Sequence, residues 1–329
     1  MEGGAAITVD DARAGARVLN LLANPLHGRI LRAHKAGPLR ATELSEKTEW
    51  PAQTTLRAAV SKLRRFGLLE RRQLAGMPYG VATELTPVGQ EVLFVADMVE
   101  RWLDKAPQGP IPADSDAAKG AVKALAAGWS STMVRALALE PASLTELDRR
   151  IPEISYPSLE RRLSRMRATR QVEPASVDGR GTPFEVTDWL RYSVAPLCAA
   201  GRCERRHMRE ETAPITPVEI EASFLLVLPI APLPESASGT CILSVRPEAG
   251  EHGEENHSAA GVTVEVKDGV LVSCRPELPD EAPVWALGDP MAWLNAVIDG
   301  HHEGLRFGDT TPQLTADLVN GLHLALFGH

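Results

Sequence analysis

The stretch WPAQTTLRAAVSKLRR, residues 50–65, has a counterpart that begins 103 residues later as EISYPSLERRLSRMR, residues 153–167. Each puts a turn first, then small polar residues, then a helix dense in arginine or lysine. The same offset aligns GPLRATEL (37–44) with EPASLTEL (140–147), and it sets Leu56 on Leu159, Val60 on Leu163, Ser61 on Ser164, Lys62 on Arg165 and Leu69 on Val172. Near residue 76 two residues drop out; TELTPVGQEVL then meets FEVTDWLRYSV, with Leu85 on Val186 and Thr86 on Thr187. One unit repeated in one register means two copies of one domain.

Each copy reads as the same series of elements. A helix ends near Ala36 or Leu139, and a turn with Pro38 or Pro141 follows. A short helix starts at Thr42 or Thr145, where a threonine hydroxyl can cap exposed amides. A longer helix runs from about Gln53 to Phe66, or Pro157 to Thr169. Leu56, Val60 and Leu63, or Leu159, Leu163 and Met166, form an apolar stripe at helical spacing that must face a core. The opposite face carries Thr54, Arg57, Ser61, Lys62 and Arg64 in one copy, and Ser158, Arg161, Arg162, Arg165 and Arg167 in the other. Two extended runs around a turn come next, with Asp178-Gly179 as a tight-turn signal. A further helix closes each copy. Helix, helix-turn-helix, hairpin, helix is a winged-helix layout.

On GPLRATEL, ISYPSLERRLSRM, DGRGTPFEVT, RFGLLERR and LTPVG, residues 17–210 resemble a tandem pair of HxlR-type winged helix-turn-helix domains, within the broader MarR-like group. The resemblance implies binding to double-stranded DNA, with the longer helix seated in the major groove. Gln53, Thr54, Thr55 and Arg57 are then the base-facing candidates of the first copy, and Ser155, Tyr156, Ser158 and Arg161 or Arg162 those of the second. Ser61, Lys62, Arg64 and Arg165 lie farther along the same faces, where cations neutralise phosphates and release counterions. The wings offer Arg71, Arg72 and Tyr79, or Arg180 and Thr182. Two departures stand out: Arg170 replaces Gly67 at the helix end, and VEPAS replaces LERRQ at the base of the wing. Two recognition helices on one chain suggest either an internal pseudo-dimer reading half-sites ~34 Å apart or a homodimer offering four helices.

Charge is divided along the chain. Residues 1–105 hold 15 Lys+Arg against 12 Asp+Glu, residues 106–214 hold 16 against 14, and residues 215–329 hold 4 against 17. Two mildly basic segments therefore precede a strongly acidic one, which phosphates repel. The expected organisation is a first winged helix over 1–106, a linker over 107–118 (PQGPIPADSDAA), a second winged helix over 119–213 and an acidic α+β domain over 214–329. In the last, IEASFLLVLPIA, GTCILSVRP, GVTVEVKDG and VLVSCRP read as strands, with a hairpin turn at Asp268-Gly269. DPMAWLNAVIDG and TPQLTADLVNGLHLALFG read as helices opened by Pro290 and Pro312 and closed by Gly300 and Gly328. This order resembles the sterol-carrier-protein fold. That resemblance implies an apolar tunnel lined by Phe224, Leu226, Leu228, Trp285, Trp293, Leu294, Leu318 and Leu322; ordinary core and a dimer contact are the competing readings of the same residues. The overall expectation is an α+β fold.

No apolar run is long enough to span a bilayer, and no signal peptide opens the sequence. Four scattered cysteines suit a reducing cytoplasm. Phosphate-binding glycine loops and hydrolase or zinc-protease motifs are missing. Cys198, Cys203 and His207 are poorly spaced for a metal, and His301 and His302 read as loop residues. Neither an enzyme nor a cofactor is expected. The function expected is a sequence-specific transcriptional regulator, a repressor by family, responsive to a hydrophobic small molecule. The rival reading is a protein that sequesters such a molecule without gene control.

Overall fold

The chain folds as two units: residues up to Ala127 together with Ala199–Ala213, and residues from Gly128 to Cys198 together with those from Pro214 onward. The computed structural model describes residues 13–74, 80–127, 131–175, 182–208, 212–247, 259–279, 284–308 and 312–328. Both α-helices and β-strands contribute to the fold.

The first unit contains α1 (Ala16–Leu22), α2 (Pro25–Ala33), β1 (Leu39–Arg40), α3 (Ala41–Lys47), α4 (Gln53–Arg65), β2 (Leu69–Leu74), β3 (Gly80–Leu85), α5 (Pro87–Asp104) and α6 (Asp116–Ala126). Local chemistry sets these boundaries. Pro25 opens α2 behind Asn24, whose side chain accepts from the Leu26 amide at 3.1 Å. Thr86 caps α5 by accepting from the Gly89 amide at 3.0 Å. The strands form an antiparallel sheet in the order β1-β3-β2. Leu19, Ile30, Leu31, Leu63, Leu68 and Val92 are fully buried beneath it and between the helices. Gly89 is obligatory, since a Cβ there would lie 2.1 Å from the Leu68 carbonyl oxygen.

The unit border differs from the sequence-derived one because α6 packs on α1. In addition, the buried Glu204 carboxylate accepts from the Gly15 and Val18 amides at 2.8 and 2.7 Å, tying residues 199–213 to the start of the chain.

The second unit opens with α7 (Ser131–Leu139), α8 (Leu144–Arg150), α9 (Tyr156–Ala168), β4 (Val172–Pro174), β5 (Phe184–Val186), α10 (Asp188–Tyr192) and α11 (Val194–His207). From Ala199 on, α11 groups with the first unit. The second unit continues with α12 (Pro217–Val227), β6 (Gly239–Val245), β7 (Ala260–Lys267), β8 (Val270–Arg275), β9 (Trp285–Gly288), α13 (Pro290–Asp299), β10 (Arg306–Gly308) and α14 (Pro312–Leu326). Its five-stranded sheet has the order β10-β9-β6-β7-β8 and is antiparallel except between β6 and β9. Helix α12 packs against both α7 and β7. Arg135 of α7 meets the buried Glu221 of α12 at 2.8 Å, and the other Glu221 oxygen accepts from the Gly261 amide at 3.0 Å.

Local geometry recurs in the two units at the spacing of the sequence repeat. Leu39 pairs with Thr83 and Leu69 with Leu85; Ala142 pairs with Phe184 and Val172 with Val186. Gly67 and Arg170 end their helices at φ 70° and 53°. The Thr86 and Thr187 hydroxyls donate to the carbonyls of Gly67 and Arg170 respectively.

Several sequence expectations are corrected. IEASFLLVLPIA is not a strand: residues 220–227 belong to α12, followed by a 3-10 turn over Leu228–Ile230. Thr42 and Thr145 lie inside their helices. The capping side chain of α8 is Ser143, which accepts from the Glu146 amide at 3.3 Å while Glu146 accepts from the Ser143 amide at 2.7 Å. The long helix after the second hairpin is interrupted at Ser193, dividing α10 from α11. The Asp268-Gly269 turn does join β7 to β8, with Asp268 at φ 50° and Gly269 at φ 74°. Asp178-Gly179, Tyr79 and Arg180 lie outside the described residues. Among the described residues, no helix is long and apolar enough to cross a membrane.

Candidate nucleic-acid interface

Helix α4 buries Leu56, Ala59 and Leu63 and half-buries Val60. The 3.6-residue period then forces the polar residues outward. Gln53, Thr54, Thr55, Arg57, Ser61, Lys62 and Arg64 are all exposed. Projected around the helix, Thr54 and Ser61 stand opposite the buried stripe, with Gln53, Arg57 and Arg64 on one flank and Thr55 and Lys62 on the other. Lys62 is on the α2 side: burial first, with the Lys62 ammonium adding to it, pushes the His27 imidazole below its ordinary value. Arg57 donates to the Gln53 amide oxygen at 3.4 Å. No acidic residue occurs in α4, and its N-cap, Ala52, makes no side-chain cap bond. The amides of the first turn, at the positive end of the helix dipole, are thus left without a capping side chain.

The wing completes this face. Arg71 and Arg72 are adjacent on β2 and so project to opposite sides of the strand. Arg72 is exposed but occupied, its guanidinium meeting Glu84 at 2.7 Å; that hydrogen bond raises the Arg72 pKa. Arg71 instead lines an open groove of about 600 Å3 between α3, α4 and the sheet, together with Gln53, Arg57 and Arg64.

In the second unit, α9 buries Leu159, Leu163 and Met166. Ser155, Tyr156, Arg161, Arg162 and Arg165 are exposed, and Ser158 is half-buried. The Ser158 hydroxyl accepts from Arg161 at 3.2 Å. Ser155 makes no side-chain cap bond, so the first turn of α9 is left as that of α4 is. Arg167, assigned from sequence to the outward face, lies over the Phe184 ring at 4.9 Å, on the flank toward β5. Thr182 is exposed.

Two residues on the first face escaped the sequence reading. Arg65 lies four residues beyond Ser61 on the exposed side, a position that helical spacing alone would have supplied. Trp50 is 68% exposed and lines the groove; nothing in the sequence announces an indole directed at solvent.

The residues expected to line an apolar tunnel are dispersed. Phe224, Leu226, Leu228, Trp293, Leu294, Leu318 and Leu322 are buried, and Trp285 is half-buried. Phe224, Trp293, Leu294 and Leu322 border a cavity of about 20 Å3, room for roughly one water molecule. Phe224 and Trp293 meet edge to face, with centroids 4.8 Å apart. Cys203 is buried, and burial pushes its thiol up to about 12, far from thiolate reactivity at neutral pH.

No curated protein matches the chain. Residues 21–108, from the last two residues of α1 through α5 and so including α4 and its wing, match the model of the HxlR-like helix-turn-helix family, a family of DNA-binding transcriptional regulators.

Proposed function

We propose that the protein is a sequence-specific, duplex-DNA-binding transcriptional repressor carrying two winged helices, with α4 and α9 as its recognition helices. The observation that carries this reading is α4: an exposed cationic face, no acidic residue, uncapped first-turn amides and a wing alongside. Helices of this kind enter the major groove with their first turns against base edges. In support of a second copy, the strand pairings, the left-handed helix ends and the threonine bonds recur around α9. In this reading the sequence-derived modules stand as 1–106, 107–118, 119–213 and 214–329, and the acidic last module is held off the DNA by charge. The protein works in the cytoplasm and catalyses nothing.

Fluorescence anisotropy against duplexes from the region upstream of its own gene tests the proposal. Arg57→Ala and Arg161→Ala should each weaken binding, and the double variant should weaken it further. Equal affinity of wild type and double variant removes both helices from the interface. The sterol-carrier-like reading of residues 214–329 predicts uptake of a hydrophobic ligand there. Uptake at the cavity bordered by Phe224, Trp293, Leu294 and Leu322, about 20 Å3 in volume, would require that cavity to enlarge.

A further inference from the structure

Helices α4 and α9 are both 13 residues long, and the sequence repeat aligns them end to end, Gln53 with Tyr156 and Arg65 with Ala168. Their buried stripes agree, Leu56 and Leu63 aligning with Leu159 and Leu163. Two helices that bury the same positions turn the same positions outward. The outward side chains can therefore be compared one against one, and at the start of the helix they differ.

The sharpest difference is at the fifth residue. Arg57, an exposed cation, aligns with Glu160, an exposed anion. Arg57 donates to Gln53, one turn earlier, at 3.4 Å. In α9 the cation comes one residue later, at Arg161, which aligns with the small Ala58 and donates to the Ser158 hydroxyl at 3.2 Å. One residue is ~100° around a helix, so the two guanidiniums leave their helices on different sides. At the first residue an exposed amide, Gln53, aligns with an aromatic ring, Tyr156, which is 45% exposed. The wings diverge too: Arg71 and Arg72 of β2 align with Pro174 and Ala175. Farther along the helices the chemistry is kept, Ser61 aligning with Ser164 and Lys62 with Arg165.

Base edges in the major groove tell these groups apart. A guanidinium takes the two acceptors of guanine, and a glutamine amide takes adenine. A carboxylate can only accept, and it finds its donor on cytosine N4; an apolar ring surface packs on the thymine methyl. A guanine that satisfies Arg57 would set two acceptors against the carboxylate of Glu160.

We infer that the protein reads a non-palindromic operator made of two unlike half-sites. The half under α4 is purine-directed, set by Gln53 and Arg57, and the half under α9 is pyrimidine-directed, set by Tyr156 and Glu160. This inference rests on the proposed function and names the class of duplex that it takes. Two identical halves would hold one of the helices against wrong base edges, and each wrong base pair weakens binding roughly 5- to 150-fold. If two chains associate, the composite site is repeated, with unlike halves in each repeat.

The test selects duplexes from a random-sequence pool with the full chain and sequences those retained. The consensus should hold two half-sites that are neither inverted nor direct copies of each other. By fluorescence anisotropy, that duplex should bind at least tenfold more tightly than either symmetrised duplex carrying one half twice. Glu160→Gln should shift one position of the α9 half from cytosine to adenine and leave the α4 half as it was. Arg57→Gln should change a guanine of the α4 half and leave the α9 half as it was. A consensus of two identical halves, a single half-site, or a symmetrised duplex bound as tightly as the selected one overturns the inference while the protein remains a sequence-specific DNA binder. A Glu160→Gln consensus identical to that of the wild type also overturns it. A pool from which no sequence is enriched refutes the proposed function itself, and the inference falls with it.

Discussion

Exchanging Arg170 for glycine should stabilise the second unit, although it removes a side chain. Arg170 ends α9 at φ 53°, and the matching residue after α4 is Gly67 at φ 70°. A left-handed conformation costs a residue with a Cβ ~1–2 kcal/mol. Glycine avoids that cost but loses ~0.5–1 kcal/mol more backbone entropy on folding. The net gain expected for Arg170→Gly is therefore ~0.5–1 kcal/mol, or a midpoint ~1–4 °C higher for a unit of this size. Arg170 is exposed, and its backbone bonds, from its amide to the Arg167 carbonyl and from the Thr187 hydroxyl to its own carbonyl, survive the change. Arg170→Ala separates backbone from side chain, because alanine keeps the left-handed cost and should give no gain. Differential scanning calorimetry of the three proteins reads the effect. A neutral or destabilised Arg170→Gly, or an equal gain for Arg170→Ala, refutes the assignment of a strained helix end.

Other outcomes follow from the packing. Leu63→Ala, at a fully buried position under α4, should cost ~2–5 kcal/mol in urea unfolding; a loss under 1 kcal/mol places Leu63 outside the core. Arg135→Ala should cost ~2–3 kcal/mol by leaving the Glu221 carboxylate buried without its cation. Adding Glu221→Gln should recover part of that loss, and a double variant no better than the single one refutes the pairing. His34 donates from Nδ1 to the Ile30 carbonyl at 2.7 Å, and its Nε2 meets the Thr83 hydroxyl at 2.9 Å. Burial, with the Lys47 charge adding to it, holds its pKa below 6.5. The unfolded chain then takes up the proton first as pH falls, so this stability is complete above about pH 6.5 and is lost as pH drops through the lower folded value. Urea midpoints should decline from pH 7.5 to 5.5 less steeply in His34→Gln than in wild type; parallel declines count against it.

The sequence carried the first winged helix well because every level agreed. Leu56 and Leu63 gave the buried stripe, and the outward residues followed from the period. Residues 220–227 failed for a physical reason. Helix α12 is buried almost all round, so its apolar run shows no period, and continuous apolarity reads equally as a strand. Yet TPVE, residues 216–219, spells out a capping box: Thr216 accepts from the Glu219 amide, and Glu219 accepts from the Thr216 amide. That signal would have outweighed the run. Ser143 was likewise readable from SLTE. Strands β9 and β10, four and three residues long, were too short to declare themselves. The exposure of Trp50 depends on the backbone angles of two residues, which composition does not encode. The competing tunnel reading of Phe224 and Trp293 could not be separated from core by sequence, since both place aromatics inward.

The central claim is that α4 seats its cationic face on phosphates. The direct measurement is the salt dependence of duplex binding for wild type and for Arg57→Gln/Arg64→Gln/Arg65→Gln. Each phosphate contact contributes about 0.9 to the slope of log K against log salt. Loss of all three should flatten that slope by up to ~2.7 while the fold remains intact by circular dichroism. An unchanged slope, with binding retained, would contradict the account and place the DNA elsewhere on the molecule.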